Sequence, residues 1–294
     1  MTVETERGEG AEREKTAAGC GYCKAILRIL FGPRRRSRKD RIFGSATVTD
    51  ARAAVGGCLG VAFNDSVSVM SELPLLVFDV NETLLDIEAL APQFQRIYGD
   101  AGVLREWFAQ LILYSEAITL TGDYVPFGEL AGAVARMVAE VRGAQIDQGD
   151  LERLQQAFAG LPPHPEVPSA LGRLRDAGFR LFTLTNNPQS TCKKQLDHAG
   201  LSQWFERGFS VDGVSHYKPA PQVYRAVQES LGAAPARLWL IACHTWDILG
   251  ASAAGWKTAL ILRPGNAPLA VGGQPDILGR NLNDIAERLC QIHI

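Results

Sequence analysis

Leu75-Leu-Val-Phe-Asp79-Val-Asn-Glu-Thr83-Leu-Leu is the stretch whose reading decides the fold. Four consecutive apolar residues run into an acid without polar alternation, the pattern of a short strand buried on both faces in a parallel sheet. Reading outward, residues 180–185, 237–243 and 257–263 are runs of the same kind. Helix-patterned segments separate them, at residues 189–199, 221–231 and 247–254, the last stopped by Gly255. Strands alternating with helices predict an α/β fold with a doubly wound parallel sheet, whose ligands bind at the carboxyl ends of the strands.

Residues 87–163, between the first two strand runs, read as a helical insertion. Leu130, Val134, Met137, Val138 and Val141 recur at helical spacing and predict one apolar face. The expected organisation is a core of residues 71–86 plus 164–294, with residues 87–163 as a helical cap over its catalytic end. Residues 1–70 carry charge clusters, among them Arg34, Arg35, Arg36, Arg38, Lys39 and Arg41, and little periodicity. They read as a disordered extension, with the functional protein beginning near Met70.

A formal net charge of -2 over 294 residues gives no global field to attract nucleic acid or an anionic membrane. No apolar run approaches the roughly 18 residues of a membrane span, and the acidic start lacks the positive charge of a signal peptide. Six scattered cysteines argue against a disulfide scaffold. Cys20-Gly-Tyr-Cys23 has no second pair at zinc-like spacing. A cytoplasmic location is expected.

Four segments at strand ends carry chemistry. Asp79 at the tip of a buried strand can act as a covalent nucleophile, with Thr83 on the following turn to hydrogen-bond back to it; taken alone, it reads equally as a helix cap. Thr185 and Asn186 end the second run, where a hydroxyl and an amide can hold an anion; the plain alternative is a turn. Lys218, between prolines in His216-Tyr-Lys218-Pro-Ala-Pro-Gln-Val-Tyr224, can neutralise and orient a carboxylate. Asp247 can position or activate water, with His244 either an aid or a structural histidine.

In this order the segments resemble the haloacid dehalogenase superfamily. The insertion, the Tyr-Lys-Pro-x-Pro run and Cys243-His244-Thr-Trp-Asp247 are similar to its type II (S)-2-haloacid dehalogenase group, across about residues 75–289. The resemblance implies hydrolysis of short 2-haloalkanoates to 2-hydroxy acids through an ester on Asp79. It implies catalytic roles for Asp79, Thr83, Lys218, Asp247 and His244. Substrate or halide would meet Val80, Asn81, Trp107, Phe108, Thr185, Asn186 and Tyr224. Superfamily phosphatases generally place an acid where this chain has Asn81 and another where it has Cys243. Neither is a general acid or a good ligand for a hard cation, so no metal and no cofactor are expected. The alternatives are a magnesium-dependent phosphatase and a non-catalytic binding protein on the same scaffold. Family members carry an arginine where Phe108 stands, and Arg105, one helical step upstream, does not share its direction. The expected partner is a small haloacid, and an apolar insertion is compatible with a homodimer.

Overall fold

A computed structural model describes residues 73–294. The expected extension, the start near Met70, the basic cluster and the Cys20–Cys23 pair lie outside the described residues.

Six parallel strands form one sheet in the order β3-β2-β1-β4-β5-β6. They are β1 (Leu75–Phe78), β2 (Arg180–Thr185), β3 (Arg207–Ser210), β4 (Leu238–Ala242), β5 (Lys257–Ile261) and β6 (Ile277–Gly279). The central strands β1 and β4 are buried throughout, as continuous apolar runs require. β1 pairs with β2 on one side and β4 on the other, so the strand order reverses at β1 and opens the crevice where α/β sheets bind ligands.

Two strands lie outside the four runs read from sequence. β3 reads Arg-Gly-Phe-Ser and buries only Phe209, while β6 has three residues. Edge strands this short carry too few apolar residues to form a run; their pairing with β2 and β5 makes them strands.

Between β1 and β2 the chain forms a 3-10 turn (Ile87–Leu90) and helices α1 (Ala91–Tyr98), α2 (Val103–Thr121), α3 (Phe127–Arg142) and α4 (Gln148–Ala159). α2 and α3 end at Gly122 and Gly143, both left-handed, and Asp147 opens α4 in a reciprocal capping box with Asp150. The expected apolar face of α3 is corrected at one end. Leu130, Val134 and Val138 are buried and Met137 is partly so, but Val141 is 76% exposed, and Ala135 and Ala139 complete the face instead. Val141 keeps the angular position of the stripe but falls in the last turn, beside the Gly143 cap, where the helix end leaves it in solvent.

The insertion leaves and re-enters the core at one place. Leu85 bridges Pro163, the Asp86 amide donates to the Pro162 carbonyl at 2.8 Å, and the His164 amide donates to the Leu84 carbonyl at 2.9 Å. The remaining helices flank the sheet: α5 (Val167–Asp176), α6 (Gln189–His198), α7 (Pro221–Leu231), α8 (Thr245–Ala253) and α9 (Leu282–His293). No helix among the described residues is long and apolar enough to cross a membrane.

Candidate active site

Asp79 follows β1 directly, and its amide still donates to the Ile241 carbonyl of β4 at 3.0 Å. The backbone is therefore fixed where the side chain leaves the sheet. The Thr83 hydroxyl donates to Asp79 Oδ2 at 2.7 Å and accepts the Cys243 amide at 3.0 Å, tying the turn after β1 to the end of β4. Arg263 secures that turn, donating to the Thr83 carbonyl at 2.8 Å and pairing with Glu166 at 2.7 Å.

Lys218 is fully buried, and its ammonium donates to Asp79 Oδ1 at 2.7 Å, Asp247 Oδ2 at 2.6 Å and the Leu184 carbonyl at 3.2 Å. One cation thus bridges two buried carboxylates. Burial opposes its charge, but Asp247 and Asp79 outweigh that and push the lysine above its ordinary value. Asp79 responds oppositely: burial raises it, yet Lys218 and His244 hold the carboxyl well below the usual range. Asp247 keeps a raised value, because burial is the larger influence and Asp79 lies close. The Tyr224 hydroxyl donates to Asp247 Oδ1 at 2.6 Å, so the tyrosine expected to meet substrate orients Asp247.

His244 lies against the second carboxylate oxygen of Asp79, with Nδ1 3.1 Å from Oδ2. Its Nε2 is 2.9 Å from Oε2 of Glu82. The ring stacks on Trp246 at 4.9 Å between centroids and faces Phe108 at 5.6 Å. Burial disfavours the imidazolium, but the Cys243 sulfur, Asp79 and Glu82 together raise the histidine well above its ordinary value.

Glu82 lies outside the motifs, and Arg105 is a correction. Expected not to share the direction of Phe108, it stands one turn before it on the same face of α2. Both reach His244, Phe108 directly and Arg105 through Glu82. Glu82 is buried, its backbone is left-handed at φ 63°, and its second carboxylate oxygen accepts from Arg105 of α2. Neither residue has a local signature. Glu82 stands in a turn outside any helical or strand period, and its contact with His244 spans 162 positions. The positive φ, uncommon for a residue with a side chain, is the observation that draws attention to it.

The other expected contacts divide. The Asn186 Oδ1 accepts the Lys218 amide at 3.2 Å, so Asn186 stands beside the cation. The Thr185 hydroxyl accepts the Asn187 amide at 3.1 Å and shapes the turn. Asn81 accepts from Gln195 at 3.1 Å. Val80 is fully buried, its carbonyl taking the Leu84 amide at 2.9 Å. Trp107 packs within the insertion, 5.2 Å from Phe94, with its indole N–H on the Ala131 carbonyl at 3.0 Å. Only Phe108 of the Trp107–Phe108 pair reaches the centre, through the face of His244.

A hard divalent cation requires a shell of oxygen ligands. Here an ammonium fills the space between Asp79 and Asp247, Asn81 is engaged by Gln195, and burial raises the Cys243 thiol further from ionisation. Asp79, Cys243 and His244 offer ligand atoms within 4.8 Å of one another, but Nδ1 of His244 is turned to Asp79 and Asp79 is held by Lys218. These residues do not fit Mg²⁺.

Residues 73–255 match the haloacid dehalogenase-like hydrolase family. The chain is 29% identical over 209 residues to haloacetate dehalogenase H-2 of Moraxella sp. strain B, covering 70% of this chain and 93% of that protein. It is 32% identical over 197 residues to (S)-2-haloacid dehalogenase 1 of Pseudomonas sp. strain CBS-3, covering 66% and 86%. The solved L-2-haloacid dehalogenase of Xanthobacter autotrophicus shares the fold, with a TM-score of 0.68 at 24% identity over 73% of this chain and 97% of that one.

Proposed function

The chain belongs to the haloacid dehalogenase-like hydrolases, and from that premise we propose that it hydrolyses the carbon–halogen bond of short 2-haloalkanoates without a metal. The observation that carries the reading is the Lys218 ammonium between Asp79 and Asp247, which supplies in a side chain the positive charge a metal would bring. Similarity to haloacetate and 2-haloacid dehalogenases supports the substrate class.

In the first step an Asp79 carboxylate oxygen attacks C2 in line, the C–X bond breaks, and halide leaves with its electron pair. Forming the ester removes the charge of Asp79 itself, while the substrate carboxylate keeps its own. Lys218 and Thr83 orient the attacking carboxylate. Asn186, its oxygen engaged by Lys218, has its amide nitrogen to offer to halide or to the substrate carboxylate. The helices of the insertion act as the cap, with Phe108 covering His244.

Loss of the Asp79 charge removes one of the groups that keep His244 protonated, and the ring sheds the proton that overall hydrolysis releases. Neutral His244, aligned by Glu82, then takes a proton from water as its oxygen bonds to the Asp79 carbonyl carbon. Lys218 and Thr83 stabilise the oxyanion. Collapse expels the 2-hydroxy acid, whose alkoxide takes the proton of the new carboxyl group, and both Asp79 and the imidazolium are regenerated. C2 is displaced once, so its configuration inverts.

The test is halide release with EDTA present from chloroacetate, fluoroacetate and each enantiomer of 2-chloropropionate, wild type beside Asp79→Asn. Release by the wild type alone is the expected result. No halide from any of the four, with phosphate release from an ester once Mg²⁺ is added, would overturn the reading.

A further inference from the structure

We propose that Arg105 is a positioning residue for ester hydrolysis: carried on the insertion, it pins the Glu82 carboxylate against His244 and so aligns the base only while the insertion is seated on the core. The inference rests on the reaction proposed above.

Glu82 is a forked link. One carboxylate oxygen accepts from Arg105 and the other stands 2.9 Å from His244 Nε2. Its side chain is 3% exposed, so without Arg105 a carboxylate far from water keeps a single charged partner. The backbone there is left-handed at φ 63°, a conformation glycine adopts freely and glutamate does not. A side chain tolerated at that cost has its carboxylate spent on these two contacts.

Arg105 is itself fixed to both parts of the protein. It pairs with Glu88 at the start of the insertion, and Nη2 donates to the Pro264 carbonyl beyond β5 at 2.9 Å. Gly265 leaves the room for it: a Cβ there would stand 2.9 Å from the guanidinium carbon. Phe108 lies three residues along the same helix, on the same face, and meets the His244 ring. One face of α2 therefore touches the base twice, directly by an aromatic ring and through Glu82 by a cation.

The experiment uses the full chain as wild type, Arg105→Lys and Arg105→Met, with rapid quenching on a 2-chloropropionate the wild type accepts. For Arg105→Met the expected result is a first equivalent of halide at close to the wild-type rate, then steady turnover at least tenfold slower. The Asp79 peptide should accumulate as its 1-carboxyethyl ester, and Arg105→Lys should recover part of the loss. Steady turnover within twofold of wild type, or equal slowing of both phases, would overturn the proposal. A wild type that releases no halide from any haloacid sinks the reaction itself, so a second readout follows the geometry alone. It is the low-field imidazole N–H proton resonance of His244, assigned by its absence in His244→Asn. That signal should persist in Arg105→Lys and be lost to exchange in Arg105→Met; its persistence in Arg105→Met would refute the positioning role.

Discussion

Lys218 spends its three donors on Asp79, Asp247 and a carbonyl, so its removal strands two carboxylates away from water. Lys218→Met should abolish turnover and lower stability by about 3–5 kcal/mol, the cost of breaking a buried ion pair; halide assays and urea unfolding check the two effects. His244 sets a pH dependence whose sign is fixed. Its folded-state value lies well above 6.5, so its stabilisation is complete below that pH and is lost as pH rises through the folded value. Unfolding free energy measured from pH 6 upward should therefore fall with pH, and His244→Asn should flatten that decline. At this scale the sequence pointed to residues at strand ends that the fold brings together, Asp79, Lys218 and Asp247 among them. It did not reveal Glu82, because a carboxylate within a turn has no spacing that points to a histidine beyond another strand.

The helices hold the site by close approach. α8 passes α7 at Gly250, where a Cβ would stand 2.5 Å from the Tyr224 hydroxyl and 2.7 Å from the Pro219 Cβ. Gly250→Ala should displace Tyr224 from Asp247, at a stability cost of roughly 1–3 kcal/mol for an overpacked core, with activity falling alongside. Thermal unfolding and a halide assay report both. Farther from the site, Asp147→Ala removes half of the capping box on α4 and should cost about 1 kcal/mol while leaving the rate constant for halide release unchanged. The strands legible from sequence were those with long apolar runs. β3 and β6 escaped because their strand character comes from the neighbour they pair with, and the exposed Val141 shows that a five-residue apolar pattern overstates a helix face at its free end.

Across the molecule the insertion is stitched to the sheet on both sides of Asp79. On one side is Arg105; on the other, the Tyr217 amide donates to the Thr119 hydroxyl at 3.0 Å, the Tyr217 hydroxyl reaches the Val125 carbonyl, and Tyr124 donates to Asp212. Tyr124→Phe should loosen the second side alone, giving faster amide hydrogen exchange in α2 and α3 and unchanged exchange in β1 and β4. Unchanged exchange throughout would show that this contact does not restrain the insertion. The sequence located the insertion by its helical period but not these stitches: the Arg105–Glu82 contact crosses 23 positions and those on the other side join residues 88 to 98 positions apart. The insertion also departs and returns through adjacent chain segments, Leu85 beside Pro163. A short turn could join those two points and leave the sheet intact. On the proposed reading of the insertion's helices as a cap, they form a cassette joined to the core at a single seam. New substrate ranges can be tried on a chemistry that does not have to be reinvented, provided each incoming cassette brings its own counterpart of Arg105.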